Sequence, residues 1–449
     1  MPSLTTLVAR EVFDAGGRPT LEVEATTSSG AMGRVIVPSG GGPEGGSHEA
    51  TELRDGDPDR LGGEGVLKAA AAIRDEVARR LVGMEVDEQA EVDAALIALD
   101  GTERKARLGA NAILGASLAV ARAAAVARGE PLYAHLHRLY VAGLGPGDAD
   151  PGPPALPMPM ITMISGGSRS GRNLDFRGFL VVPLGAGSFR EAITMSVHVY
   201  RSLGRILARL GDADALVGRD GGYGPSLRTN AHAVDLILEA IVGAGLEVGR
   251  DAAVALDVSA TRFYHAPSAT YRLAGDGTVS HDSSAMMGLL AHWVRQYPIV
   301  SIGDGLAEDD WNGWSALTRR IGGTTQLVGD DMFVAHRDRI GRGFERRAAN
   351  AVAIAPGRVG TLSETFEALR LARRHGYRTV IATQPGETED TTVADLAVAT
   401  GAGQIQFGSV SRSERLAKYN RLLRIEDRLG PTAPFVGRAA LGLGLPPSR

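Results

Sequence analysis

Residues 326–382 read QLVGDDMFVAHRDRIGRGFERRAANAVAIAPGRVGTLSETFEALRLARRHGYRTVIA. Three short apolar runs, Gln326–Gly329, Ala351–Ile354 and Thr379–Ala382, are separated by longer stretches of helical period. That alternation is what strands joined by crossover helices produce. Working outward, the same kind of run recurs at Gly178–Val182, Ala252–Val258, Ile299–Ile302 and Gln404–Phe407. Strand–helix alternation sustained over about 270 residues suits a β/α barrel, although periodicity alone fits an open sheet as well.

Upstream the pattern changes. Leu7–Val37 alternates apolar and polar residues around glycine-containing turns, as a small antiparallel sheet does. Gly65–Leu81, Asp87–Leu99 and Ala110–Arg128 then carry alanine-rich helical periodicity. Residues 141–157 (VAGLGPGDADPGPPALP) are rich in Gly and Pro and have no apolar period, which marks a linker. The expected organisation is an α/β protein: an α+β domain over 1–140 containing a glycine-rich loop at 38–48, a linker over 141–157, and a modified, TIM-type β/α barrel over 158–449.

Composition narrows the function classes. The 449 residues carry a formal net charge of −4 and no cysteine, so disulfides and thiolate-ligated zinc are excluded. No basic excess or motif favours nucleic acid. No leader-like segment or span-length apolar stretch stands out, so a cytoplasmic protein without a membrane partner is expected. Of 48 Lys+Arg only Lys68, Lys105 and Lys418 are lysines, and none falls between residues 106 and 417. Compositional drift turns surface lysine into arginine, but it does not account for the loss of a lysine that chemistry requires.

Seven runs in one order resemble the enolase family across nearly the whole chain: DAGGRPT (14–20), VPSG (37–40), ELRD (52–55), DGTE (100–103), LGANAILGAS (108–117), GETED (386–390) and RSERLAKYN (412–420). The resemblance implies an N-terminal α+β domain followed by a barrel. It also implies a site at the carboxyl ends of the barrel strands: three Mg²⁺-binding carboxylates, a lysine that removes the α-proton, a glutamate acid, and basic groups for phosphate. At these positions the chain departs from the family. Ala355 stands at the base position, and Gly303 at that of the third metal ligand, leaving Asp257 and Asp330. Two carboxylates hold a hard cation more weakly, so Mg²⁺ binding is expected to be weakened. Asp304 and Asp331 follow inward-facing positions, and alternation along a strand is expected to turn them away.

Asp220 occupies the general-acid position with a shorter side chain, and His48 matches a histidine of the family's lid loop. These two are the candidate proton carriers, with Asp257. Arg169, Arg177 and Arg219 replace a histidine and two further positions of the family's site, and Arg358 follows the missing base. With Gln384 in the former phosphate grip, Gln406 at the second lysine and Ser39 at the lid, they are the candidate groups for a small anionic ligand. Ordinary interconversion of 2-phosphoglycerate and phosphoenolpyruvate is not expected from such a site. Two readings remain. One is a repurposed enzyme acting on an anionic phospho- or phosphono-carboxylate, preferred because the lid keeps its glycines and His48. The other is a non-catalytic protein kept as a scaffold or effector-binding dimer. In either case a homodimer is expected.

Overall fold

Three antiparallel strands, β1 (Leu4–Phe13), β2 (Pro19–Thr27) and β3 (Met32–Ile36), open the chain in the order β1-β2-β3. The computed structural model from which this architecture is read describes residues 2–40, 48–167, 174–212, 216–274 and 279–443. In β2 the alternation is sharp: Leu21, Val23 and Ala25 are fully buried. Glu22 and Glu24 between them face Arg10, and Arg34 donates to Glu24 at 2.7 Å. The buried face packs on the helix Ala110–Ala127, whose small residues let sheet and helix approach closely. At Gly33 an added Cβ would fall 2.3 Å from the Ala119 carbonyl, so only glycine fits. This helix does reach the length and apolarity of a membrane span, which corrects the sequence expectation; 83% of it is buried inside the protein.

The remaining strands are β4 (Met158–Pro159), β5 (Ile161–Ser165), β6 (Gly178–Val182), β7 (Leu216–Val217), β8 (Tyr223–Gly224), β9 (Ala253–Asp257), β10 (Tyr264–His265), β11 (Thr270–Leu273), β12 (Val279–His281), β13 (Ile299–Gly303), β14 (Gln326–Gly329), β15 (Ala351–Ile354), β16 (Arg378–Ala382) and β17 (Gly403–Gln406). One sheet runs β4-β17-β16-β15-β14-β13-β9-β6-β5-β8-β7. Its two flanks meet in a single stretch of chain. β4 pairs with β17, β5 pairs with β6, and Met160 N–H to Ile405 O (2.9 Å) and Thr162 N–H to Gly408 O (3.2 Å) bridge between them. The sheet therefore closes into a barrel in which β6 alone runs antiparallel to both neighbours.

Strand alternation divides the barrel into two apolar regions. Ala253, Ala255, Val328, Ala351, Ala353, Val380 and Ala382 fill the interior, while Val254, Leu256, Leu327, Val352, Ile354 and Ile381 pack outward against the helices. Small interior side chains keep the barrel narrow, and the same parity aims Asp257, Gly303, Ala382 and Gln406 at the ends of β9, β13, β16 and β17, and Asp330 and Ala355 just past β14 and β15, into the mouth.

The segments GETED and RSERLAKYN join the two domains. Ser39 and Gly386 exchange backbone hydrogen bonds, and Ala15 N–H donates to Glu387 O. A Cβ at Gly386 would lie 2.2 Å from Asp14 Oδ2, so the close approach requires glycine. Beneath this junction the fully buried Lys418 ammonium pairs with Glu387 at 2.7 Å and donates to the carbonyls of Thr388 and Glu414. Arg122 ties the first domain to Asp390 and Thr392, and Lys105 ties it to Glu364 at 2.8 Å. Removing one member of a buried pair strands the other without water or partner. Lys418→Met should therefore destabilise the protein by about 3–5 kcal/mol in chemical denaturation, whereas loss of an exposed pair such as Arg209–Glu239 should cost well under about 1 kcal/mol.

Candidate active site

Interior parity brings Asp257, Gly303, Asp330, Ala355 and Gln406 to the mouth from β9, β13, β14, β15 and β17. The reversed β6 contributes its first residue, Gly178, with Arg177 before it. A cavity of ≈ 30 Å³ at this end is lined by Arg177, Asp220, Asp257, Asp330, Gln384, Gln406 and Arg415, among others. No lysine lines it. The three lysines are engaged elsewhere, Lys68 on the Asp55 carbonyl, Lys105 on Glu364 and Lys418 on Glu387. Ala355 lines a second cavity of ≈ 30 Å³ together with Leu114, Leu118, Leu362 and Ala382; the carboxylates that also line it, Glu387 and Asp390, are paired with Lys418 and Arg122.

The dominant feature is a lattice of arginines and aspartates. Arg358, buried, places Nη1 at 3.0 Å from Asp330 and 3.1 Å from Asp331, with Nη2 at 3.1 Å from the other oxygen of Asp330. Its Nε lies 3.3 Å from Glu49, just past the lid segment. Arg177, also buried, stands 3.6 Å from Asp257. Asp257 further accepts from Ser259 (2.8 Å) and Gln406 (3.3 Å). Burial works against both guanidinium cations, yet the surrounding carboxylates outweigh it and raise both above the ordinary arginine value.

Asp304 departs from the sequence expectation. Its backbone adopts a left-handed φ of 43°, which breaks strand alternation and swings its carboxylate beneath β14. There it accepts the backbone N–H groups of Asp330 and Asp331, both at 2.9 Å. Asp304, Asp330 and Asp331 thus converge, with one ligand oxygen from each lying within 4.8 Å of the others. Burial, and then the charges of Asp331 and Asp330, push Asp304 well above the usual carboxylate range. Asp330 is pushed up to about 6, by burial first, with Arg358 opposing. Asp331 goes the other way: burial is outweighed by Arg358, Arg177 and Arg262, which hold it down. Three neighbouring carboxyls thus share charge unequally, Asp331 keeping it while Asp304 and Asp330 hold their protons more tightly.

The other candidate residues distribute as follows. Asp220 is buried, hydrogen-bonds Ser165 Oγ and accepts from Gly222 N–H at 3.2 Å. Gln384 is held by its backbone, N–H to Glu387 (2.9 Å), with its side chain in the cavity lining. Ser39 is spent at the domain junction, and Arg169 lies outside the described residues, as does most of the loop at 38–48. His48 is exposed and meets Asp309 at 3.5 Å, away from the cavity lining. Arg219 is exposed in a separate cleft of ≈ 390 Å³ with Asp14, Arg18, Glu64, Arg412 and Glu414. Sequence reasoning missed Glu49, Ser165 and Arg415. The last sits in the RSERLAKYN run, where it donates to Thr383 Oγ1 at 2.9 Å and to carbonyls of three neighbouring loop residues.

These residues do not fit a Mg²⁺ held by three carboxylates. Gly303 offers no donor, although a Cβ there would meet nothing closer than 3.6 Å. The two remaining carboxylates, Asp257 and Asp330, already face guanidinium groups. A cation entering between them would have to displace a bidentate arginine and shed its own water.

Comparison with protein families gives two matches. Residues 4–136 match the model described as enolase, N-terminal domain, and residues 154–442 match enolase, C-terminal TIM barrel domain.

The charge division has a pH signature. Asp330 holds its proton more tightly folded than unfolded. It therefore adds stability that is complete below its unfolded value of 3.8 and is lost as pH rises through about 6. Asp330→Asn removes that loss. The melting-temperature difference, variant minus parent, should rise between about pH 4 and about pH 7 in a thermal denaturation series, whereas a flat difference would place the ionisation elsewhere.

Proposed function

Because this chain belongs to the enolase family over both of its domains, we propose that it is a non-catalytic member, a cytoplasmic, dimer-forming scaffold whose barrel mouth serves as a structural ion-pair cluster. The observation that carries this reading is Arg358 seated between Asp330 and Asp331. Proton abstraction next to a carboxylate needs a base and a cation that stabilises the doubly charged intermediate. The base position is Ala355, and the cations present are already neutralised by Asp257, Asp330, Asp331 and Glu49. An anion entering this cluster would meet four carboxylates, Asp257, Asp330, Asp331 and Glu49, against the two guanidinium groups of Arg177 and Arg358.

One observation favours the alternative of a repurposed enzyme for a phospho- or phosphono-carboxylate. The Nε–H groups of Arg177 and Arg415 are buried without an acceptor, and both residues line the cavity that holds Asp220. An oxygen ligand placed there could accept from both without Mg²⁺, with Asp220 as proton carrier.

Assay with 2-phosphoglycerate and with phosphoenolpyruvate in Mg²⁺ should give no turnover above the blank. Ala355→Lys alone should stay inactive, because general-base catalysis supplies only about 10²–10⁴-fold and the metal and phosphate contacts remain missing. Rescue by that single change would show that the rest of the site is intact. In the same protein, a thermal-stability rise with phosphorylated or phosphonylated acids in EDTA would favour the repurposed enzyme, and no response beside an intact dimer in light scattering is the outcome expected of the scaffold.

A further inference from the structure

We propose that Arg358 is the resident cation of the barrel mouth, holding together the carboxylates that a divalent ion would otherwise bridge, and that removing it exposes a latent hard-cation site at Asp304, Asp330 and Asp331. This inference rests on the misfit between the residues present and a bound Mg²⁺. It adds a statement about one residue that the scaffold reading does not require.

Three features converge on Arg358. First, its guanidinium touches both oxygens of Asp330 and one of Asp331 within 3.1 Å. These carboxylates end β14, and Asp304 at the end of β13 braces the same turn through two backbone N–H groups. Second, its Nε reaches Glu49 at 3.3 Å, and its carbonyl accepts Ala50 N–H at 3.1 Å. One side chain therefore joins two barrel strand ends to the segment entering from the first domain, as a multidentate ion does. Third, its own backbone is fixed by the helix that follows. Leu362 N–H donates to Ser117, Ser363 to Asp93, and Glu364 pairs with Lys105, all on the first domain. The cation is thus delivered by a rigid element and not by diffusion.

Without the guanidinium, Asp330 and Asp331 would lose their nearest cation in a region with little water, a costly arrangement. Oxygen ligands within 4.8 Å of one another are what a hard cation accepts. The absent guanidinium leaves the space for one.

Thermal unfolding of the parent, Arg358→Gln and Arg358→Lys in EDTA and in excess Mg²⁺ or Ca²⁺ tests this. The parent should melt at the same temperature in all three. Arg358→Gln should melt lower in EDTA and recover by roughly 3 °C or more with either cation, whereas Arg358→Lys, which keeps a positive charge, should show little metal response. If Arg358→Gln gives no folded protein, the double change Arg358→Gln with Glu49→Gln leaves one carboxylate fewer, keeps all three aspartates of the site, and should show the same recovery. A parent that gains as much from Mg²⁺ as the variants, or a Gln variant or double variant indifferent to both cations, would overturn the proposal. Turnover of 2-phosphoglycerate would instead overturn the scaffold reading, so the two can fail separately.

Discussion

Arg358 between Asp330 and Asp331 is the contact on which the mouth of this barrel depends. Carboxylates gathered at the strand ends of a closed barrel are partly shut off from water, and they repel one another unless cations stand among them. The enolase fold brings such carboxylates together by strand parity whether or not chemistry follows. This chain compensates them with side chains. A guanidinium is always charged, planar and able to bond two carboxylates at once, so it pairs with Asp330 and Asp331 without drawing on an ion from solution. Once it is in place, Gly303 and Ala355 at the neighbouring strand ends add no charge that would need a partner.

The retained motifs follow the same logic. GETED and RSERLAKYN survive because they carry the buried Lys418–Glu387 pair, the Ser39–Gly386 junction and the Arg122–Asp390 bridge. The three lysines that remain in an arginine-dominated chain each bond a buried or partly buried acceptor, a carboxylate or a backbone carbonyl, where a compact ammonium fits.

Much of this was legible in the sequence. The runs 178–182, 326–329 and 351–354 are strands to the residue, and the enolase resemblance points to Asp257, Gly303, Asp330 and Gln406, which the fold brings to strand ends at the mouth. The stave Met158–Ser165 was not seen: Pro159 argues against a strand, and only pairing at both flanks, with β17 and β6, makes it one. Sequence showed arginines arriving while carboxylates left, and from this it expected guanidinium groups open to an anion. What each arginine binds depends on residues far away in the chain, Glu49 and Asp331 for Arg358, Asp257 for Arg177, and no local pattern encodes those distances. The left-handed turn at Asp304 likewise carries no signature, since it is imposed by the hydrogen bonds to the next strand end.

The central claim is that guanidinium groups occupy the place of the divalent cation. A crystal structure of the protein soaked in Mn²⁺, with anomalous scattering recorded to locate the ion, tests it most directly. The account predicts no anomalous peak within bonding reach of Asp257 and Asp330, and the Arg358 side chain still lying between Asp330 and Asp331. A manganese ion coordinated by those aspartates, with Arg358 turned away, would contradict it.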